Sequence, residues 1–491
     1  MIPELKSTQK TKQTADLRNV KFIYNDYTAQ ADVFVSRVRA QGSTDGQQWK
    51  CAHDSTGAGA NEAAADTVEY MLDFETVRDL QAGAYILSVS SKNATVTVSD
   101  SEGAANALTT FYKLIRNGSG LVEEQTINDS PDYPHRGFQI DIARHFLDRG
   151  DIEDIIDKMS LLKLNRCHLY FSDDWGYRLE SKAFPELNEI ASWYINEDGS
   201  KTGGFLSMDD VRHITAFANA RGIEIIPEID MPGHVTEFLA AYPQLGCFGD
   251  KVKVWNEAGI SKDVLCVSKE STYEFIFKLL DEVTELFPYE YFHIGGDEVP
   301  TDNWEKCESC QAFMKEKGMK SEGELQFHFM NRVIDYLTAK GKKIICWNDI
   351  LKSGKFPENA MVHYWCEPGF EVNPENIRPD QKFIYSFCRA FYYDFRDATV
   401  TLENTYSWPT KFVNGEEIPK ENIAGFECEN WAEFTYTKDE RLAKMFPRVY
   451  ALSERCWNGT RDIRHLQELI KDEEQYGTYA IDGLTYATWL E

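Results

Sequence analysis

From residue 137 onward, the chain alternates short β-rich runs with longer amphipathic segments. The runs are bounded by turn residues, and the segments between them place apolar side chains at helical spacing. Eight strands are predicted, at 137–142, 167–171, 223–228, 291–294, 343–347, 361–365, 383–387 and 423–426. Eight strands that alternate with helices over this length predict a (β/α)8 barrel, a TIM barrel with long loop insertions.

Four helices of the barrel are indicated by their apolar stripes. Asp151 is the expected cap of the first, whose buried positions run from Ile152 to Leu162. The other three are predicted at 209–220, 322–339 and 438–454.

The first 130 residues follow a different pattern, which predicts a small α+β domain. Segments 84–89 and 94–98 resemble paired strands around a polar turn, and a helix follows with apolar positions from Ala104 to Leu114. A breaker-rich stretch at 128–134 favours a boundary there. We therefore expect an N-terminal α+β domain at 1–131 and a barrel domain at 132–491.

Composition narrows the possible partners. The formal net charge of −28 argues against nucleic acid and anionic membranes, since both require clustered Lys and Arg. No run approaches the roughly 20 apolar residues of a membrane helix. Residues 1–13 are polar and lack the apolar core of a secretory signal, so a cytoplasmic protein is expected. The sequence does not fix an oligomeric state, and a homodimer is one candidate.

The 11 cysteines are an odd number and are scattered without a framework spacing, which favours reduced thiols. Cys307 and Cys310 form a CxxC pair, but no second pair follows at zinc-finger spacing. We interpret the pair as ordinary thiols in preference to a metal or redox site. No metal ion and no other cofactor is expected.

Acidic and tryptophan residues collect where the predicted strands end. Active sites of barrels lie at these carboxyl ends. Indole faces cover the apolar face of a sugar ring, while carboxylates and Arg bind its hydroxyls. The sequence therefore predicts a carbohydrate pocket. The residues at or just after these strand ends include Arg144, Asp173, His234, Asp297, Glu298, Trp347, Trp365, Tyr392, Asp394, Trp431 and Glu433.

The adjacent acids Asp297 and Glu298 follow two consecutive glycines, which allow the backbone to leave an extended path. Neighbouring side chains of a regular strand point to opposite faces. The pair therefore differs from the opposed carboxylates, about 5–5.5 Å apart, of an ordinary retaining glycosidase. A turn at the strand end would aim both acids inward, with one of them acting as acid and base.

Several segments, in order along the chain, resemble glycoside hydrolase family 20, the β-N-acetylhexosaminidases. They are 135–137 with 141–146, 228–234, 293–298 and 431–433. The N-terminal region also resembles the small α+β domain that precedes many of these barrels. The resemblance implies exo-hydrolysis of terminal β-linked GlcNAc or GalNAc, with the substrate's own acetamide as nucleophile and an oxazolinium intermediate.

The resemblance also implies roles for the catalytic residues. Glu298 would be the general acid and base, and Asp297 would orient the acetamide and stabilise its developing positive charge. His234 and Asp173 would form a relay behind the acid. Tyr392 would hydrogen-bond the acetamide oxygen, with Tyr393 as the alternative if the register shifts by one.

The remaining residues would bind the sugar. Arg144 and Glu433 correspond to the residues that bind the outer ring hydroxyls, and Asp394 is expected near the same edge. Trp347, Trp365 and Trp431 would form an aromatic enclosure around the ring and the N-acetyl methyl group.

Two positions depart from the family pattern. Tyr170 stands where a second histidine is often found, and Trp175 replaces a polar residue that commonly follows the two aspartates. Because Trp175 could narrow or extend the leaving-group side, the leaving-group preference stays open, as does the choice between GlcNAc and GalNAc.

Other functions also remain open. A metal-dependent barrel hydrolase would use His234, His293, Asp173 and Asp297 as ligands. A two-carboxylate glycosidase would use Glu433 or Asp173 as nucleophile. A catalytically silent sugar-binding protein, a lacto-N-biosidase and an enzyme for sulfated sugars complete the set.

Overall fold

The computed structural model describes residues 1–44, 52–53, 68–196, 198–257, 259–365, 372–395 and 399–475. Eight parallel strands pair in chain order, and the last pairs with the first to close a barrel. The strands are His135–Asp141, Arg166–Asp173, Glu224–Ile229, Tyr291–His293, Lys343–Trp347, Ala360–Tyr364, Phe383–Tyr385 and Ile423–Cys428. The predicted (β/α)8 barrel is therefore confirmed, with strand ends that differ from the predicted ones by at most two residues.

Side chains fill the barrel interior in layers that come from alternate strands, as expected for this fold. One layer is apolar and contains Ile226, Ile345 and Ile384 from the third, fifth and seventh strands. The second, fourth, sixth and eighth strands supply a polar layer of His168, His293, His363 and Glu427, all buried. The inside of the barrel is thus a packed core, and the space for a ligand lies at its ends.

The helices cover the outside of the barrel and its loops. They are Arg149–Leu161, Met208–Asn219, Thr236–Ala241, Glu270–Leu286, Asp302–Lys306, Glu308–Lys317, Glu322–Ala339, Cys388–Phe391, Leu402–Ser407, Lys438–Met445, Arg448–Asn458 and Ile463–Glu474. Short strands at Gly176–Tyr177, Trp193–Ile195 and Lys201–Gly203 extend the loops after the second barrel strand. No helix within the described ranges is both long and apolar enough to cross a membrane.

Two details of the predicted helices were wrong. Asp148, not Asp151, caps the first helix, because its side chain accepts a hydrogen bond from the Asp151 amide at 3.0 Å. The single helix predicted at 438–454 is two helices that flank Pro447, since proline lacks the amide hydrogen that a continuous helix requires.

The N-terminal region forms a seven-stranded mixed sheet covered by the helices Thr28–Thr44 and Ser101–Asn117. In spatial order the strands are Ser7–Asp16, Leu121–Asp129, Tyr85–Val89, Asn93–Val98, Val68–Thr76, Val20–Tyr24 and Ala52–His53. The two predicted paired strands are confirmed as an antiparallel pair.

Buried polar contacts join this region to the barrel. The Lys163 ammonium lies 3.1 Å from the Asp129 carboxylate, which also accepts a hydrogen bond from the Trp457 indole at 2.8 Å. Farther along the interface, Glu473 of the last helix forms an ion pair with Arg116 at 2.9 Å. Because such contacts cross it, the boundary between 131 and 132 stays a prediction.

Candidate active site

A cavity of about 250 Å³ opens at the carboxyl ends of the barrel strands. Eight of the eleven predicted site residues line it, and Cys388 and Phe395 complete the wall. The eight are Arg144, Asp297, Glu298, Trp365, Tyr392, Asp394, Trp431 and Glu433. The other three, His234, Asp173 and Trp347, lie directly behind this wall.

A larger cavity of about 840 Å³ lies at the opposite end of the barrel. Its lining includes the first residues of several strands, among them His135, Tyr291, Lys343 and Ile423. Active sites of this fold lie at the carboxyl ends, where the loops carry the chemistry. The smaller cavity is therefore the candidate active site.

A sharp turn after the fourth strand brings Asp297 and Glu298 to the cavity. Gly295 and Gly296 have φ values of 64° and 99°, and Glu298 itself has a φ of 48°. The Gly296 amide donates a 3.0 Å hydrogen bond to the Asp230 carboxylate. A β-carbon on Gly295 would lie 1.7 Å from the same carboxylate, so only glycine fits there.

His234 lies between two pairs of carboxylates. On one side, its Nε2 atom is 3.7 Å from Glu298 Oε2 and 4.0 Å from Asp297 Oδ2. On the other side, its Nδ1 atom is 3.5 Å from Asp173 Oδ2 and 3.4 Å from Asp174 Oδ2. The sequence pointed to Asp173 alone, since nothing in two adjacent aspartates indicates that both face the imidazole.

The buried charges of His234 and of the carboxylates around it influence one another. Burial opposes a charge on His234, but its contacts with Asp173 and Asp174 outweigh burial and raise the pKa of the imidazole well above its ordinary value. Burial, reinforced by the charge of Asp230, raises the pKa of Asp297 well above the ordinary range of a carboxyl. A positive charge placed beside Asp297 would therefore be strongly favoured, because it would allow that carboxylate to ionise.

Tyr170 and Asp230 contact the groups that position the two acids. The sequence had not indicated a role for either residue. The Tyr170 hydroxyl donates to Asp230 Oδ2 at 2.9 Å and lies 3.2 Å from Asp173 Oδ2. Burial raises the pKa of Asp230 to about 7. The tyrosine that departs from the family pattern thus links the relay to the turn that carries Asp297.

Arg144 organises one edge of the cavity. Its guanidinium contacts Asp141 at 2.9 Å, Asp173 at 3.0 Å and Glu433 at 3.3 Å. It also lies over the Trp431 ring, 5.1 Å from the centroid. These contacts hold the guanidinium rigidly while the Glu433 carboxylate stays partly exposed to the cavity.

Asp394 lies at the same edge of the cavity. Burial, and next the charge of Glu433, raise the pKa of Asp394 to about 7. Among the described residues, no side chain or backbone group hydrogen-bonds its Oδ1 atom. A buried acceptor of this kind is suited to a ligand hydroxyl.

The aromatic residues form a wall and a floor. Tyr392 and Trp365 lie nearly parallel with ring centroids 6.4 Å apart, and the Trp365 indole donates to Asp349 at 3.0 Å. Trp347 is completely buried behind them, where its indole donates to Glu228 at 2.9 Å. Trp365 and Trp431 therefore face the cavity directly, and Trp347 supports Trp431 from behind.

After the seventh strand, Tyr392 lines the cavity and Tyr393 is buried under Arg448. Burial raises the pKa of the Tyr392 hydroxyl well above its ordinary value, so the hydroxyl remains a donor at neutral pH. Trp175 lies outside the cavity lining and packs against His145 and Tyr194.

The geometry weighs against the ligand set of the metal-dependent alternative and against Asp173 as the nucleophile of a two-carboxylate glycosidase. His293 lies in the barrel interior, 2.8 Å from Glu228, and does not join the other ligands of the supposed metal site. Asp230, His234 and Asp297 do present atoms within 4.8 Å of one another, but this set differs from the one that the metal-dependent alternative required. Asp173 is buried against Arg144 and does not face the cavity as a nucleophile would.

Sequence comparison agrees with this geometry. Residues 133–460 match the model of glycosyl hydrolase family 20, catalytic domain. The chain belongs to glycosyl hydrolase family 20. Residues 1–130 match domain 2 of the same family, which accounts for the α+β region that precedes the barrel.

Two curated relatives are named β-hexosaminidases. One, from Porphyromonas gingivalis, is 33% identical over 78% of this chain, and the match covers 52% of that relative. The other, from Akkermansia muciniphila, is 30% identical over 84% of this chain and 87% of its own length. The chain thus spans about half of the first relative and most of the second.

Solved structures of the family superpose on nearly the whole chain. The β-N-acetylhexosaminidase of Bacteroides fragilis has a TM-score of 0.83 at 25% identity, with 99% of both chains covered. An exo-β-N-acetylglucosaminidase of Vibrio harveyi, solved with N-acetylglucosamine, has a TM-score of 0.80 at 25% identity and covers 98% of this chain and 77% of its own.

Proposed function

We propose that the protein is a retaining exo-β-N-acetylhexosaminidase that removes terminal β-linked GlcNAc or GalNAc from glycans by substrate-assisted catalysis. The observation that carries the proposal is the pair Asp297 and Glu298, turned together into a small cavity with His234 in contact with both. Family membership supports the same reaction.

In the first step, the acetamide oxygen of the sugar attacks the anomeric carbon while the bond to the leaving oxygen breaks. Glu298 gives its proton to that oxygen, so the leaving group departs as an alcohol. Asp297 contacts the acetamide nitrogen and stabilises the positive charge of the oxazolinium ion. Tyr392 donates a hydrogen bond to the acetamide oxygen and holds it below the anomeric carbon.

In the second step, the Glu298 carboxylate accepts a proton from water. The water oxygen then attacks the anomeric carbon, and the bond to the acetamide oxygen breaks. Two inversions at one carbon retain the β configuration. His234, fixed by Asp173 and Asp174, is a positioning residue that keeps the Glu298 carboxyl at the cavity wall in both steps.

Binding relies on the remaining lining residues. Glu433 and Asp394 accept hydrogen bonds from the outer hydroxyls, with Arg144 beside them, while Trp365 and Trp431 cover the apolar face and the acetamide methyl group. A cavity of about 250 Å³ holds a single terminal sugar, which favours exo action over cleavage within a chain.

The test is hydrolysis of an aryl β-N-acetylglucosaminide beside the matching β-glucoside, which lacks the acetamide. We expect cleavage of the acetamido sugar alone, with inhibition by a thiazoline analogue of the intermediate. Equal cleavage of the glucoside would assign the reaction to a protein nucleophile such as Glu433. Activity only on a disaccharide aryl glycoside would indicate a lacto-N-biosidase.

The role of Glu298 has its own test. Glu298→Gln cannot protonate the leaving oxygen, so we expect kcat/KM to fall about 10²–10⁴-fold for substrates with alkyl or sugar leaving groups. Aryl glycosides whose leaving group needs no proton should lose much less in the first step. Equal losses on both substrates, measured as kcat/KM, would remove Glu298 as the acid.

A further inference from the structure

Four cysteines that are far apart in sequence meet beside the active-site loops. Cys247 and Cys266 lie in the long loop region between the third and fourth barrel strands, and Cys307 and Cys310 form the CxxC pair that begins the helix Glu308–Lys317. Each of the four Sγ atoms lies within 4.8 Å of the other three Sγ atoms. Cys266 Sγ is 3.7 Å from Cys310 Sγ and 3.9 Å from Cys307 Sγ.

These distances fit a single metal ion bound by four sulfurs. A tetrahedral zinc site with Zn–S bonds of about 2.3 Å places its sulfurs about 3.8 Å apart. A disulfide would instead bring two sulfurs to about 2.05 Å, and all four thiols are free in the structure. A polynuclear iron–sulfur cluster binds its thiolates to different iron atoms and would hold them farther apart.

We propose that Cys247, Cys266, Cys307 and Cys310 bind one structural Zn²⁺ ion. Four thiolates complete a tetrahedral shell and leave no position for water or substrate, which is the pattern of a structural site. Cys266, Cys307 and Cys310 are buried, and Cys247 is half-buried. A zinc finger would carry a second cysteine pair at a fixed spacing in the sequence. Here the fold brings Cys247 and Cys266 to the CxxC pair, although no local motif connects them to it.

Backbone and side-chain hydrogen bonds hold together the segments that carry the four cysteines. The Cys266 amide donates to Leu245 O at 2.8 Å, which pairs the segments that carry Cys266 and Cys247. The Trp304 indole donates to Leu265 O at 2.8 Å and fixes the segment before the CxxC against the same strand-like stretch. The Lys269 ammonium donates to Gly246 O at 2.6 Å, one residue before Cys247. A tetrathiolate zinc site would carry two negative charges, which a positive charge on this segment favours.

The site joins the loop that carries the catalytic acids to the loop that carries His234. The loop after the third strand bears His234 and continues to Cys247 and Cys266, while the loop after the fourth strand bears Asp297 and Glu298 and continues to Cys307 and Cys310. The Leu265 amide donates to Pro232 O at 3.0 Å, so the segment beside Cys266 is bonded to the segment that holds His234. Zinc would therefore set the distance between His234 and Glu298 without contact with the substrate.

The first test uses the full chain purified without a metal-affinity step or a chelator. Mass spectrometry of the metal content should give one zinc per chain, and X-ray absorption at the zinc edge should give four sulfur ligands at about 2.3 Å. Metal content well below one per chain, with all thiols reduced and zinc present during expression, would contradict the proposal. A first shell of nitrogen or oxygen ligands would contradict it as well.

A matched pair of double variants locates the site. Cys307→Ala with Cys310→Ala should lose the zinc and several degrees of melting temperature, and the catalytic rate should fall because His234 and Glu298 lose their common support. Cys167→Ala with Cys456→Ala removes two equally buried thiols outside the cluster and should keep one zinc per chain. Zinc retained by the first variant, or lost equally by both, would overturn the assignment. Metal content is independent of catalysis, so this result stands whether or not the proposed activity is found.

Discussion

The surroundings of Asp297 oppose a negative charge on its carboxyl, whereas the proposed intermediate requires that charge. Burial and the neighbouring Asp230 raise the pKa of Asp297, and among the described residues no group hydrogen-bonds its Oδ1 atom. An oxazolinium ion beside it would supply a further positive charge and an N–H donor together. Stabilisation that appears only when the substrate becomes cationic lowers the barrier instead of merely tightening binding.

Asp297→Asn tests this argument. The amide keeps the size of the side chain but cannot carry the negative charge that faces the developing cation. We expect kcat on an aryl β-N-acetylglucosaminide to fall about 10²–10³-fold, the scale of one electrostatic stabiliser. A rate close to that of the wild type would exclude the proposed role.

Asp394 should make stability depend on pH. Its pKa of about 7 in the folded protein exceeds the ordinary value of 3.8, so the folded state binds the proton more tightly and loses stability as the pH rises from about 4 to 7. Asp394→Asn should therefore raise the free energy of unfolding by about 1–3 kcal/mol at pH 8 and by much less at pH 4. Denaturant unfolding at both values measures this, with the exposed Asp335→Asn as control.

An equal increase in the free energy of unfolding at both pH values would show that the Asp394 carboxyl is not desolvated in the folded protein. Asp394→Asn should weaken substrate binding while it stabilises the fold, since the amide is a weaker acceptor for a sugar hydroxyl. A raised KM beside a raised unfolding free energy is the expected combination.

Eight of the eleven residues that the sequence indicated line the cavity, because each follows a strand and the strand ends of a barrel meet in one place. It did not predict that Asp174 shares His234 with Asp173, or that Asp230 supports the turn. Those contacts depend on side-chain direction at a strand end, where the alternation of a regular strand no longer holds.

The turn after the fourth strand is the element on which the chemistry most depends. Its backbone leaves the strand through two glycines with positive φ, and Glu298 also has a positive φ, which is strained for a residue with a side chain. The surrounding contacts, above all the Gly296 amide on Asp230, hold this conformation.

Gly295→Ala should disable the turn. The added methyl group would overlap the Asp230 carboxylate, so Asp297 and Glu298 would shift by a fraction of an ångström or more. We expect kcat/KM to fall at least about 10²-fold. Gly150→Ala, in a helix where the methyl group meets only one side-chain atom at 3.4 Å, should remain active. Full activity of the Gly295 variant would show that the turn is not constrained.

The order and type of the elements were predictable because apolar periodicity differs between strands and helices. The division of the last predicted helix at Pro447 had a clear signal in the sequence, which the apolar stripe on both sides concealed. The CxxC pair was visible, but its partners Cys247 and Cys266 are brought to it only by the folding of two long loops.

In the whole molecule, the α+β region and the barrel share a buried junction. Lys163 of the barrel is fully buried and is neutralised by Asp129, which Trp457 and Tyr85 also contact. The partners are distant in sequence, so no local pattern could indicate them.

Asp129→Asn should destabilise the whole chain. The substitution leaves the Lys163 ammonium buried without its partner, which costs about 3–5 kcal/mol. Asp132→Asn removes the partly exposed pair with Lys6 and should cost less than about 1 kcal/mol. Urea unfolding of both variants provides the comparison, and equal effects would mean that the junction does not hold the two parts together.

The most direct test of the mechanism measures kcat/KM for aryl β-glycosides whose N-acyl group carries none, one, two or three fluorine atoms. Each fluorine withdraws electrons from the acyl oxygen while the ring and the leaving group stay the same. If that oxygen is the nucleophile oriented by Asp297 and Tyr392, the rate should fall steeply with every fluorine, by orders of magnitude across the series. A rate that is nearly independent of fluorine would contradict substrate assistance and would require a nucleophile from the protein.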